Sequence, residues 1–241
     1  MTAYVIFGAT GGIGNALCTK LASGGARLAV VARNAAPLEA LARATDAVPI
    51  VADATAADQV DAAVTRAAQT LGELDGVASC IGSVLLKPAH RTSDAEWLAT
   101  LTQNLTTSFW IVRAGARALM ARGGAITLVS SCAALVGLAN HEAIAAAKAG
   151  VIGLVRAAAA TYAPHAIRVN CVAPGLVRTP ATTALTQGPS LDASLRLHPL
   201  GRIGEPEDVA AALAFLLARE QTWITGQVLG IDGGLATLRS R

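Results

Sequence analysis

Short apolar runs alternate with segments of helical spacing from one end of the chain to the other. Ala3–Phe7, Leu28–Ala32, Pro49–Ala52, Gly76–Ile81, Ala125–Ser130, Ile167–Ala173 and Val228–Ile231 read as strands. Between them, Gly12–Ser23, Leu38–Ala44, Val60–Leu71, Asn104–Arg122, Glu142–Ala163 and Val209–Ala218 read as helices. Gly24-Gly25 and Gly123-Gly124 give two of these helices a carboxyl-terminal stop, and Pro164 ends a third. The strand runs are mostly apolar rather than alternating, which suits a parallel sheet buried on both faces. The order predicts βαβ units with right-handed crossovers, and so a doubly wound parallel α/β sheet in one domain over residues 1–241. The longest stretch without a pattern runs from Pro180 to about Gly201, and a loop of that length is expected to be a functional lid.

Composition supports a large core and narrows the partners. Hydrophobic residues make up 53% of the chain and charged residues 15%, so apolar surface to bury is plentiful. The net charge is +3 with no basic run, and only 3% of residues are aromatic, which argues against nucleic-acid binding. Cys18, Cys80, Cys132 and Cys171 form no C-x-x-C pair and have no histidine cluster nearby. Neither a metal site nor a redox pair is expected, and the pattern suits a reducing, cytoplasmic setting. Tyr4-Val5-Ile6-Phe7 already reads as a strand with no charged and apolar leader pattern before it, so no targeting segment is expected. The Ala-rich segment Ala143–Ala163 is interrupted by Lys148 and Arg156, so it is expected to be a buried or interface helix rather than a membrane span.

The first strand leads into Gly8-Ala9-Thr10-Gly11-Gly12-Ile13-Gly14 and then a helix. Such a turn lets backbone N–H groups and the positive end of a helix approach a pyrophosphate, the signature of a Rossmann-type dinucleotide site. The second strand ends Ala32-Arg33, without the acid that would hydrogen-bond the ribose hydroxyls of NAD. A guanidinium there suits a 2′-phosphate, so NADP(H) is the expected cofactor.

Gly8, Gly12 and Gly14 with their strand and helix resemble the glycine motif of the short-chain dehydrogenase/reductase family. The resemblance extends through Ile167–Gly175 with Val177 and Thr179, then Gly201–Asp208, Ile224–Gln227 and Asp232-Gly233-Gly234. It implies that Gly8, Thr10, Gly12, Ile13 and Gly14 cradle the phosphates, that Asp53 and Gly82 border the adenosine side, and that Pro174, Gly175, Val177 and Thr179 hold the nicotinamide side. Ser79-Cys80-Ile81-Gly82 stands where the family has Asn-Asn-Ala-Gly. The family's catalytic Asn, Ser and Lys match Asn104, Ser131 and Lys148. These would anchor a water, polarise the substrate and hold the nicotinamide ribose.

The family's catalytic tyrosine lies four residues before the lysine, where this chain has Ile144. The remaining tyrosines do not replace it: Tyr4 is in the first strand, and Tyr162 lies roughly 20 Å along a helix from Lys148. His141 precedes Lys148 by seven residues, two helical turns, and the enoyl-reductase branch of the superfamily carries its tyrosine at that spacing. Histidine titrates near neutral pH, so His141 is a candidate proton donor; a solvated histidine at a helix start is the other reading. Val84, Leu85, Leu86, Leu135 and the lid, with Arg196 and His198 as its basic groups, are expected to line the pocket. Together these imply an NADP(H)-dependent reductase of a C=O, C=C or C=N bond in a largely apolar small molecule. The alternative is a non-catalytic NADP(H)-binding homologue acting as a regulatory or structural subunit. By the same resemblance the chain is expected to form a homo-oligomer, a tetramer or dimer, through its two long helices.

Overall fold

The computed structural model describes residues 1–239, so the last two residues of the expected domain lie outside it. Strands β1 (Ala3–Phe7), β2 (Arg27–Ala32), β3 (Val48–Val51), β4 (Gly76–Ser79), β5 (Gly124–Val129), β6 (Ile167–Pro174) and β7 (Val228–Ile231) form one seven-stranded sheet. Its order is β3-β2-β1-β4-β5-β6-β7, and every pairing is parallel. This is the expected doubly wound α/β fold. The strand order reverses between β1 and β4, and in such sheets ligands bind in the crevice at the carboxyl ends beside that reversal.

The pleat sends successive strand residues to opposite cores. Val5 and Phe7 join residues of α3 (Ala57–Leu71), α5 (Thr107–Leu119) and α6 (Glu142–Tyr162) on one face. Tyr4 and Ile6 join α1 (Gly12–Ser23), α2 (Ala35–Thr45) and α8 (Pro206–Leu217) on the other. By length and composition α6 could cross a membrane. Here its Ala147, Val151, Val155 and Ala159 are buried against the sheet, as the interruption at Lys148 and Arg156 suggests.

Two expectations need correction. The helix predicted to begin at Asn104 begins ten residues earlier, as α4 (Asp94–Leu101), and continues through a π-turn at Thr102–Thr106 into α5. Ser93 and Glu96 close a capping box at its start, but α4 buries only Thr100, so its apolar spacing carries little signal. The lid is also not irregular. It holds a 3-10 turn, Pro180–Leu185, and a helix α7, Gly188–Leu197, which buries none of its own residues.

Candidate active site

Gly8 turns out of β1 with a φ of 70°, a conformation glycine tolerates far better than other residues. A Cβ on Gly14 would sit 2.2 Å from the Gly8 carbonyl oxygen, so the first turn of α1 can pack on the loop only without a side chain there. The helix opens at Gly11 with no side-chain cap and no acid in its first turn. Its leading N–H groups therefore face the crevice without an internal acceptor, the arrangement that binds a phosphate.

From this turn the crevice runs in two directions. On the β2 side a cavity of about 200 Å³ is bordered by Gly8, Thr10, Arg33, Asp53 and Gly82. Arg33 forms no ion pair with any described acidic residue. The Asp53 carboxylate accepts the Thr55 N–H at 2.9 Å and the Thr55 hydroxyl at 2.8 Å. These bonds hold its pKa below the ordinary carboxylate range, helped by Arg33. Asp53 is thus both a turn cap and part of the cavity wall. Gln103, which the sequence reading did not single out, also lines this cavity.

On the β5–β6 side a cavity of about 320 Å³ is lined by Thr10, Gly12 and Ile13 below and by Pro174, Gly175, Val177 and Thr179 above. Ser131, Ile144 and Lys148 close its end. Gly14 lines neither cavity; its part is the close contact inside the loop.

Lys148 and Ser131 are held by ties between β5 and α6. Lys148 is buried, and its Nζ donates to the Val129 carbonyl oxygen at 2.8 Å. The Ser130 hydroxyl donates to the Lys148 carbonyl oxygen at 2.9 Å. Burial lowers the Lys148 pKa to about 8, while Cys171 and Cys80 act in the opposite sense. The Ser131 oxygen accepts the Ala133 N–H at 3.2 Å, which leaves its proton to donate into the cavity.

Asn104 lines neither cavity. It is fully buried in the π-turn, where its amide donates to Thr100 and Ser83 and its Oδ1 accepts the Ser83 N–H at 3.1 Å. It fixes the Gly82-Ser83 bend from behind: a Cβ on Gly82 would lie 3.5 Å from both Asn104 Oδ1 and Lys148 Nζ.

Ser131 and Ile144 also border a third cavity, of about 420 Å³, beneath the lid. Val84, Leu86, Leu138, Leu185 and Leu197 make it apolar, and among the described residues no Asp, Glu, Lys or Arg lines it. His141 stands on its wall, with Nδ1 2.8 Å from the Ala139 carbonyl oxygen. Leu85, Leu135 and Arg196, expected at the pocket, do not line it, whereas His198 does. A larger cavity of about 630 Å³ near Asp75, Arg168 and Trp223 lies at the amino ends of β4, β5 and β6, away from the ligand-binding crevice of such sheets.

The family model described as "Enoyl-(Acyl carrier protein) reductase" matches residues 8–236. A solved short-chain type dehydrogenase/reductase from Mycobacterium ulcerans superimposes with a TM-score of 0.93 at 30% identity, covering 99% of this chain and 91% of that one. The chain belongs to the short-chain dehydrogenase/reductase family. The D-threitol dehydrogenase of Mycolicibacterium smegmatis is 37% identical, over 95% of this chain and 91% of that protein. The galactitol 2-dehydrogenase (L-tagatose-forming) of Cereibacter sphaeroides is also 37% identical, over 95% and 92%. These relatives are oxidoreductases, and the family works with a nicotinamide cofactor.

The end wall of this crevice is built on α6. Ile144 is buried one turn before Lys148 on the same face of α6, and it borders both the cofactor-side and the lid-side cavity. No tyrosine lines either cavity; Tyr4 is in β1 and Tyr162 ends α6. Ser131 and Thr182 are the polar side chains that line both cavities, while Lys148 borders the cofactor side alone and His141 the lid side alone.

Proposed function

We propose that this chain is an NADP(H)-dependent reductase of a C=O, C=C or C=N bond in an uncharged, largely apolar small molecule, with a proton donor other than tyrosine. The observation that carries the reading is the junction at Ser131: a crevice shaped for a dinucleotide meets an apolar cavity lined by no described Asp, Glu, Lys or Arg, and of the two hydroxyls there, Thr182 is spent on the Val177 carbonyl oxygen while Ser131 has its proton free. The dinucleotide fits the chain's own features, because Gly14 and Gly8 leave a cradle a Cβ would fill and α1 opens uncapped toward it. Arg33, beside Ala32 and with no ion-pair partner among the described residues, favours the 2′-phosphate of NADP(H) over NAD(H). The names of the two curated relatives favour C=O among the three bonds.

When bound, the nicotinamide supplies the hydride. Ser131 donates its hydroxyl proton as a hydrogen bond to the substrate oxygen or nitrogen and orients it. Lys148 Nζ, with two N–H bonds beyond the one to Val129, is placed to hold the ribose hydroxyls. Asn104 holds the Gly82-Ser83 bend that shapes the floor. His141, whose Nδ1 contact with Ala139 favours the Nδ1–H form, gives a proton from Nε2 when the ring is charged. Solvent is the other source. Ile144 packs the end wall and does not exchange protons.

The four free cysteines suit a reducing, cytoplasmic compartment. Trp97, Leu98 and Phe109, all exposed on α4 and α5, support a homo-oligomer, which light scattering would test.

The test is NADPH oxidation against a panel of apolar ketones, activated alkenes and imines, with NADH as the cofactor control. Turnover on one class identifies the bond. Ile144 favours a second reading, a cofactor-binding homologue without turnover; protein that binds NADPH and reduces none of the panel would support it.

A further inference from the structure

The lid is fastened to the cofactor-side segment at both ends. At its start the Thr179 N–H donates to the Thr182 hydroxyl at 3.0 Å. At its end stands His198, just past α7 and 3% exposed, while α7 itself buries nothing. His198 Nδ1 lies 2.6 Å from the Ser194 carbonyl oxygen, an acceptor only, so Nδ1 carries the proton. Nε2 is then a bare acceptor, and it takes the Leu176 N–H at 3.2 Å. That is the one hydrogen bond the Leu176 N–H makes among the described residues. The ring also presses on Gly175, where a Cβ would come within 2.5 Å of Nε2. Gly175 and Val177, the neighbours of Leu176, line the cofactor-side cavity, whereas Leu176, Ser194 and His198 line the cavity beneath the lid.

We propose that His198 is a positioning residue, a latch that in its neutral Nδ1–H form couples the lid helix to the backbone at Gly175–Val177. The coupling runs both ways. A dinucleotide that orders this segment holds the Leu176 N–H in place and so steadies α7 over the substrate cavity. A substrate that closes α7 steadies the segment in turn. The coupling rests on the reading of this segment as the cofactor side, but the latch itself does not depend on turnover.

The test combines ring and amide NMR with hydrogen exchange and NADPH titration. In the wild-type protein, nitrogen shifts of the four histidines should show one ring fixed as the Nδ1–H tautomer. The Leu176 amide should exchange slowly, and saturating NADPH should slow exchange across Gly188–Leu197. His198→Asn keeps a donor for Ser194 but cannot reach Leu176; His198→Gln extends an amide oxygen toward it. Leu176 exchange should rise about tenfold in H198N, the size of one hydrogen bond, with NADPH no longer protecting α7, and H198Q should recover part of both. A charged or Nε2–H ring for His198 in the wild type overturns the latch, whether or not either variant folds. Leu176 protection unchanged in H198N overturns it too, leaving His198 as a cap of α7. Protein whose Leu176 amide depends on His198 but which binds no NADPH would retain the latch, discard the coupling and sink the cofactor reading.

Discussion

Lys148 Nζ donates to the Val129 carbonyl oxygen at 2.8 Å, and no carboxylate among the described residues pairs with it. Desolvation brings its pKa down to about 8 from the ordinary 10.5. The charged form is therefore disfavoured by folding. Its contribution is unfavourable below about pH 8 and is relieved as pH rises from there toward 10.5. Lys148→Met should raise the thermal midpoint near neutral pH, and the gain should shrink as pH climbs toward 10.5. The same change should weaken NADPH binding by about tenfold or more, since charge-assisted bonds to the cofactor are lost. In the wild type, NADPH affinity should fall as pH rises through about 8, when the ammonium discharges. A Kd flat across that range would show that the Lys148 cation is not used.

Arg33 borders the cavity on the β2 side next to Asp53 and has Ala32 before it. Removing a guanidinium that meets a phosphate costs roughly 1.5–3 kcal/mol, or about 10–150-fold in affinity. Arg33→Ala should weaken NADPH by that factor and leave NADH nearly unchanged, as read by fluorescence titration of both. Ala32→Asp with Arg33→Ala should invert the preference. Equal losses for both cofactors would mean that Arg33 shapes the wall and does not read the 2′-phosphate.

The sheet and the glycine turn are legible because each is a local physical necessity. A parallel strand covered on both faces, such as Ile6 to Phe7 or Leu128 to Val129, must be apolar throughout, and the close approach of Gly14 to Gly8 admits no Cβ. The pairing of Ser131 with Lys148 could be anticipated only through the family resemblance, since their strand and helix meet in the fold and not in the chain. Helices that bury little leave no apolar period, so neither α4 nor α7 is legible in the spacing of apolar residues. The π-turn at Asn104 depends on the i→i+5 geometry of a long helix, which no spacing of side chains announces. His198 was noted as one of the lid's basic groups. Its role emerges only from the carbonyl on one side of the ring and the N–H on the other.

His141 stands on the wall of the lid-side cavity with Ser131 and Ile144. Losing a general acid typically slows the chemical step by about 10²–10⁴-fold. His141→Gln preserves size and hydrogen bonding but carries no transferable proton, so kcat should fall into that range while the NADPH Kd holds. A kcat within about twofold of wild type, far below the loss expected for a general acid, would assign the proton to solvent.

Ile144 faces both cavities from the turn before Lys148, so a phenol there would meet the Ser131 hydroxyl's side of the junction with the ammonium one turn away. Ile144→Tyr adds volume at a buried site and should cost about 1–3 kcal/mol of stability through overpacking, visible as a lower thermal midpoint. If proton delivery limits the wild-type rate on ketones, kcat should rise by about tenfold or more, within the span ascribed to a positioned acid. Its pH profile should acquire a new limb from the tyrosine. The His141→Gln background makes the result decisive: the phenol should rescue kcat there even if it adds little to the wild type. A folded double variant that binds NADPH and stays slow would show that proton transfer at this wall is not what limits reduction.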